Sequence, residues 1–404
     1  MSDNQLTIVD IPILSESDIL LQIMHEEQLL DRIIALSDAF IVIQDPRIDR
    51  TKKHQLVDIL IIALCATVCG VDGWEEIEIF AEEREDWFRG FLKLQNGIPS
   101  HDTMYRVFSR LNPKELNAAL VRWTEGLMQG VEGKVVAIDG KTLRGSFDTA
   151  TGKGALHLVS AWVEENSLVL GQVSVNDKEN EITKIPELLR MLQLKGAIVT
   201  LDAMGCQKEI SRIIRRECKA DYVFSLKKNQ PSLYNEVAHF FNVAGQSGHF
   251  TQDRFESLEK GHGRIEQRTC VCLDVAGELD HVSSGWTDLK TVAKIHSVRE
   301  INGKKQEQTR YFISSLPCDA SAIARAVRTH WSIENSLHWR LDMTFREDAS
   351  RIRKDHAPEN MAALRRIALS LAKARTPQKM TVKRARFRAN LNWNFALEHF
   401  FNNN

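Results

Sequence analysis

Two short apolar runs constrain this chain more than any other feature: VVAID, closing on Asp139, and AIVTLD, closing on Asp202. Strands that read as near-continuous apolar runs are those buried on both faces of a covered sheet. A carboxylate at the end of such a strand is a poor strand former and is costly to desolvate without a partner. Ligands of open α/β sheets gather just beyond strand ends. One such aspartate reads equally well as a turn residue, and Gly140 after Asp139 suits that reading. Two of them weigh toward a shared site.

The surrounding pattern gives these strands an α/β setting. VVAIDG, ALHLVSAWVEE and LVLGQVSVND are three consecutive β-rich runs. The amphipathic ITKIPELLRML, the strand AIVTLDAMG, the helix QKEISRIIRREC and the strand DYVFSLKKN then alternate, as in a mixed sheet covered by helices. Five segments are expected. Residues 1–130 form an all-helical N-terminal domain, and 131–230 the first part of the α/β core. Residues 231–310 form a β-rich insertion, because a structureless loop of that length is improbable. Residues 311–350 resume the core at RYFISSL and carry a long helix from Ala320 to about Leu341. Residues 351–404 form basic helices. In the N-terminal region, Ser100 reads as an N-cap, and PSHDTMYRVFSR offers Ser100, His101, Thr103, Tyr105 and Arg106 to a DNA groove if it forms a helix-turn-helix. A purely structural bundle fits the same pattern.

A third acid stands on the long helix. Val327, Trp331, Glu334, His338 and Leu341 follow steps of three and four and share one helical face. Glu334 and His338 interrupt an apolar stripe, where a carboxylate is expensive without a cation or an arginine. Phosphodiester chemistry gives the three acids one purpose. Two Mg²⁺ ions about 4 Å apart activate an attacking oxygen and stabilise a leaving one. Mg²⁺ takes hard oxygen ligands.

Composition narrows the class without naming it. The formal net charge of the 404 residues is −1, so overall charge announces no nucleic-acid binder. Twelve Lys/Arg between Arg351 and Arg388 face only Asp355 and Glu359, a basic concentration that reads either as a phosphate footprint or as a solvated helical face. The seven cysteines show no paired metal spacing and read as small core residues of a reducing compartment. MSDNQLTIVD is acidic, unlike a signal peptide. LVDILIIALCATVCG contains Asp58 and is shorter than the ~20 residues of a membrane span. A cytoplasmic location without membrane contact is expected, nucleoid-associated when DNA is bound.

Longer blocks then carry a resemblance. AIDGKTLRGS, NEITKIPELL, TLDAMGCQKEI, YVFSLKKNQ, KGHGRIE, YFISSL and HWSIENSLHWRLDMTFREDASRIR resemble, in order, the H-repeat-associated insertion-sequence transposases of bacteria. KHQLVDIL, GWEEIEIF and NGIPSHDTMYRVFSRL resemble that family's N-terminal region, so the similarity runs from about residue 30 to 375. The resemblance implies a ribonuclease-H-like fold and a DDE triad, carried here by Asp139, Asp202 and Glu334 as both catalytic residues and metal ligands. Mg²⁺ would be the cofactor, with Mn²⁺ as substitute. It also implies that 231–310 is the β-rich insertion of related cut-and-paste enzymes. Implied partners are inverted-repeat element ends and target DNA, with a dimer in the DNA complex.

One departure stands out. The wider superfamily places an Arg four residues before its Glu and a Lys seven after it; here those positions are His330 and Leu341, with His338 and Arg340 as the nearby polar residues. Lys141, Arg144, Lys227, Lys228 and Asn229 follow core strands and are candidate DNA contacts, as are His262 and Arg264 in the insertion and His330, His338 and Arg340 on the Glu334 helix. Asp342 and Glu347 are alternative metal acids ranked below Glu334. Trp331 and Trp339 are expected to pack that helix on the sheet. Two other readings stay open: a catalytically silent DNA-binding remnant of a mobile element, and a ribonuclease-H-like nuclease acting on branched DNA.

Overall fold

A computed structural model describes residues 36–401, apart from 129, 149–151, 176–178, 248–250, 262–263, 276–284 and 302. Its centre is a sheet of nine strands: β1 Val135–Leu143, β2 Leu156–Val163, β3 Leu168–Val175, β4 Ile198–Leu201, β5 Asp221–Leu226, β6 Gln252–Gly261, β7 Arg264–Asp274, β8 Thr291–Ile301 and β9 Lys304–Ser314. They lie in the order β3-β2-β1-β4-β5-β9-β8-β7-β6. β1, β2 and β3 pair antiparallel, while β4 and β5 run parallel to β1. The mixed α/β class expected from the sequence is therefore present.

The pleat sorts the apolar runs between two faces. Val136, Ile138, Val199 and Leu201 meet helices α6 (Glu181–Met191), α7 (Lys208–Arg212) and α8 (Pro231–Ser247) on one side. Val135, Ile198 and Val223 meet α9 (Ala320–His330) on the other. Burial on both faces is what the unbroken hydrophobicity of β1 and β4 required.

Three expectations change. The segment 231–310 opens with α8 and continues the same sheet: RYFIS is the second half of β9, which pairs with β5 through Val223↔Ser314 and with β8 along its whole length. An antiparallel meander needs only short turns, so it extends the free edge of β5 without starting a new layer.

The N-terminal helices do not form a core of their own. α1 (Leu56–Val68) is buried almost all round, and together with α2 (Trp74–Glu82), α3 (Glu85–Arg89), α4 (His101–Arg110) and α5 (Pro113–Leu127) it shares one core with α11 (Ala357–Arg375) and α12 (Val382–Leu391). That core also takes in Ala137, Trp162 and Val169 of the sheet. A helix apolar on every side needs neighbours on every side, and the C-terminal helices supply them.

The basic C-terminal stretch is also partly interior. Arg365, Arg366 and Arg386 are buried. Arg386 donates to the carbonyls of Thr67 (2.7 Å) and Val68 (3.3 Å), capping the C-terminal end of α1. Lys383, Arg384 and Arg388 remain on the surface. The charge count thus overstates the exposed footprint.

Of the cysteines, Cys65, Cys69, Cys206, Cys270 and Cys272 are buried, while Cys218 and Cys318 are half-buried. Among the described residues, no helix is long and apolar enough to cross a membrane.

Candidate active site

β1 and β4 are neighbours, and their last paired residues are Ile138 and Leu201. Asp139 and Asp202 each stand one residue further on. Parallel strands lie ~4.8 Å apart, so the register sets the two acids side by side. Alternation puts Asp139 on the face of Val135 and Ala137, toward α9. The expectation that both aspartates end their strands holds only for Asp202. β1 continues to Leu143, because β2 pairs with it there (Asp139↔Ser160 to Leu143↔Leu156) after β4 has stopped. Asp202 turns the chain sharply: its Oδ1 accepts from the backbone N–H groups of Met204 (2.9 Å) and Gly205 (3.1 Å).

Gly140 leaves room for the side chains of Glu181 and His157, which a larger residue would displace. A Cβ there would lie 2.1 Å from a Glu181 carboxylate oxygen and 2.7 Å from His157 Nε2. These two side chains pair at 2.6 Å, and His157 Nδ1 meets Thr142 Oγ1 at 2.8 Å.

The third acid arrives on an altered helix. α9 ends at His330, a π-helical turn covers Ile333–His338, and α10 (Trp339–Met343) follows. Such wide turns are frequent at functional sites. This one changes the buried stripe to Ile333, Leu337 and Leu341. Trp331 and Trp339, expected against the sheet, are instead exposed, at 46% and 57%. The widened turn rotates the side chains that follow it, Trp339 among them, while Trp331 caps the end of α9 before the turn begins. His338 is buried, with Nδ1 3.2 Å from Glu334 Oε2 and 3.7 Å from Asp139 Oδ2.

Burial pushes the Asp139 carboxyl up to about 6, with the Asp202 and Glu181 charges adding to the rise and His338 opposing it. The hydrogen bond from His338 holds Glu334 below the usual carboxylate range. Burial takes His330 down to about 4 despite Asp202 nearby, and its Nδ1 lies 3.0 Å from Thr200 Oγ1. A neutral imidazole therefore stands at the position where the resemblance implied an arginine. Asp139, Asp202 and Glu334 all line one cleft of about 760 Å³, together with Lys227, Lys228, Tyr234, Arg310, His330 and Trp331.

The other sequence candidates scatter. Lys141 is buried between Asp342 (2.7 Å) and Asp348 (3.2 Å), so its charge is spent inside the protein. Arg144 projects into solvent, while its backbone N–H donates to Asp348. Lys227 and Lys228 are exposed at the cleft, and Asn229 ties the turn after Asp202 by donating to the Ala203 carbonyl at 2.6 Å. His338 faces the acids from the interior and has no open surface for a phosphate. Arg340 does not line the cleft. Arg264 lies on β7 near Glu266; His262 lies outside the described residues. Asp342 is held by Lys141 and Glu347 by Arg366, which removes both from competition with Glu334. Among the helix-turn-helix candidates, Ser100 accepts from Thr103 N as an N-cap, whereas His101 and Arg106 pair with Glu78 and Asp102.

Sequence reasoning missed Glu181, His157 and Arg310, and gave Trp331 a packing role instead of a place at the cleft. Glu181 sits one residue after the N-cap Asn180 in NEIT, which gave only a helix start. Arg310 and Trp331 meet by a guanidinium-on-indole contact (4.7 Å), a long-range pairing with no local signature.

The donor set fits a divalent ion. Carboxylate oxygens of Asp139 and Glu334 and a nitrogen of His338 lie within 4.8 Å of one another, with Asp202 on the adjoining strand.

Comparison with known proteins places these residues in a recurring framework. Residues 131–371 match the family described as Transposase DDE domain, and residues 37–124 match its DDE_Tnp_1-associated region. YncI of Escherichia coli O157:H7, named as a candidate transposase, is 41% identical over 364 residues, covering 89% of this chain and 92% of that protein. YhhI of Escherichia coli strain K12, named as an H repeat-associated candidate transposase, is 39% identical over 334 residues, covering 82% and 88%. A piggyBac transposase synaptic complex with hairpin DNA aligns at a TM-score of 0.38 and 11% identity, over 92% of this chain and 79% of that one.

Proposed function

This chain belongs to the DDE transposase family, as a transposase of an insertion sequence, and we propose that it cuts DNA at its element's ends and joins them to target DNA through Asp139, Asp202 and Glu334 on a ribonuclease-H-like core. The observation that carries this reading is the register of β1 and β4, which sets two aspartates side by side on the cleft that Glu334 faces. Three antiparallel strands followed by two parallel ones, with acids on the first and fourth, support the assignment of the core.

Asp139, Asp202 and Glu334 would hold two Mg²⁺ or Mn²⁺ ions, which when bound supply activation of the attacking oxygen and stabilisation of the leaving one. The remaining work belongs to the chain. Lys227 and Lys228 stand at the cleft where a scissile phosphate would lie. Trp331 and Arg310 form its wall toward the sheet extension. In the first step a water attacks phosphorus, the 3′ oxygen leaves, and a 3′-hydroxyl and a 5′-phosphate result. In the second, that hydroxyl attacks a target phosphodiester in line, the target strand's 3′ oxygen leaves as a 3′-hydroxyl, and the number of phosphodiester bonds is unchanged.

The DNA leading to the acids would follow a trough of about 1110 Å³ between β6–β9 and α9, which shares Arg310, Phe312, Val327 and Trp331 with the cleft. Arg264, Arg268, Arg299, Arg310, Arg325 and Arg328 line it against Glu259, Glu266 and Glu307. The buried Glu266 alone faces Arg264 (3.5 Å), Arg268 (2.7 Å) and Arg299 (3.7 Å). That arginine excess suits a phosphate backbone. Simultaneous capture of two ends would call for a dimer in the DNA complex, acting on bacterial DNA in the cytoplasm.

The test is cleavage of DNA carrying the element's own ends, with Mg²⁺ or Mn²⁺, by wild type and by Asp202→Asn. Metal-dependent nicking at the ends that disappears in the variant is expected. Binding without cleavage in wild type would mark a silent remnant, and cutting indifferent to end sequence would mark a general nuclease.

A further inference from the structure

The three donor atoms closest to one another at this site do not belong to the three acids. They are the carboxylate oxygens of Asp139 and Glu334 and a ring nitrogen of His338. Octahedral Mg²⁺ or Mn²⁺ with bonds of ~2.1 Å places neighbouring donors ~3 Å apart. His338 Nδ1 stands 3.2 Å from Glu334 Oε2 and 3.7 Å from Asp139 Oδ2. Small side-chain adjustments would bring all three around one ion.

The ring has little freedom to do anything else. His338 is 4% exposed, and its Nε2 is enclosed with no hydrogen-bond partner. Nδ1 is thus the nitrogen it offers, and it offers it to two carboxylates. The π-helical turn brings this about by carrying Leu337 and Leu341 into the core while Glu334 stays at the surface. Asp202, by contrast, has one carboxylate oxygen committed to the N–H groups of Met204 and Gly205.

We propose that His338 is itself a metal ligand, giving one ion an Asp139–Glu334–His338 donor set and leaving Asp202 to the other. This rests on the reading of the acids as metal ligands. The two sites are then chemically unequal. Imidazole nitrogen suits transition metals, whereas Mg²⁺ prefers oxygen and water. The nitrogen-bearing site selects Mn²⁺ over Mg²⁺, and the Asp202 site does not.

Pulsed electron paramagnetic resonance on the full chain loaded with Mn²⁺ alone, without DNA, reads the nitrogen directly. The expected spectrum shows ¹⁴N coupling from one bound imidazole, lost in His338→Gln and kept in His330→Gln. Mn²⁺ titration should show His338→Gln weakening the tighter site by more than the roughly 10–100-fold that loss of a residue merely orienting a ligand costs. Mn²⁺ that binds in wild type, is released by Asp139→Asn and shows no nitrogen coupling would overturn the ligand role, making His338 a positioning residue for Glu334. Absence of any Asp139-dependent Mn²⁺ binding would overturn the metal reading as a whole. If the buried His338 substitution fails to fold, nitrogen coupling kept in His330→Gln still assigns the ligand to His338, and coupling lost there overturns it.

Discussion

The guanidinium of Arg366 and the carboxylate of Glu347 meet at 2.8 Å with no exposed surface on either side chain. Arg366 also donates to Ser160 Oγ at 3.3 Å and to the Ala362 carbonyl at 3.0 Å. Ser160 is the residue paired across the sheet with Asp139. A buried ion pair therefore anchors α11 against β2, the neighbour of the strand that carries Asp139.

Removing one partner of that pair strands the other charge in the core. Arg366→Met should cost about 3–5 kcal/mol, read from urea unfolding of the metal-free protein. Adding Glu347→Leu should recover much of the loss, because two apolar groups leave no charge behind. A single substitution as mild as a surface change would show that water reaches the pair.

Burial of the Asp139 carboxyl costs the folded protein stability at neutral pH. Its folded-state pKa, raised by burial to about 6, exceeds the ordinary value of 3.8. The stability it contributes is then fully present below about 3.8 and lost as the pH rises through about 6. In metal-free protein at pH 7.5, Asp139→Asn should raise the melting temperature while abolishing cleavage. The gain is on the order of 1–3 kcal/mol and should vanish near pH 4. An unchanged or lower melting temperature at pH 7.5 would contradict the burial argument.

His330 titrates in the opposite sense. Burial depresses its pKa to about 4 from 6.5, so its contribution is present above 6.5 and lost as the pH falls through about 4. His330→Gln should flatten the acid limb of the metal-free stability profile over that window. An acid limb identical to wild type would refute this.

Gly145 is held by backbone on two sides. A Cβ there would lie 2.4 Å from the Ser350 carbonyl oxygen and 2.5 Å from that of Asp348. Neither atom can swing away as a side chain would, so Gly145→Ala should lower the melting temperature sharply and displace the loop that holds Lys141. Gly126, in α5, has nothing within 4 Å of its notional Cβ. Gly126→Ala should be neutral or stabilising by up to about 1 kcal/mol.

If DNA lies along the arginine-lined trough, Arg299→Ala and Arg310→Ala should each weaken binding uniformly across sequences. Each should also reduce the salt slope by about one, measured by titrating labelled duplex over a range of NaCl. Arg310→Ala should in addition lower cleavage, since its guanidinium lies against Trp331 at the mouth of the acid cleft. An unchanged slope in both variants would place the DNA elsewhere.

The sequence by itself marked Asp139, Asp202 and Glu334, because each violates a local pattern: an acid closing an apolar strand, or a charge on an apolar helical stripe. Strand and helix periodicities are properties of neighbouring residues, so the alternation of the core was equally legible. What tertiary structure decided was pairing. That β1 runs on past Asp139, that β9 belongs to the same sheet as β1, and that Arg366 and Arg386 face inward all depend on partners distant in the chain. The widened turn at Ile333–His338 did the most to alter the site. It turned Trp339 outward and brought His338 to 3.7 Å from Asp139, because packing of Ile333, Leu337 and Leu341 into the core sets the helical register there.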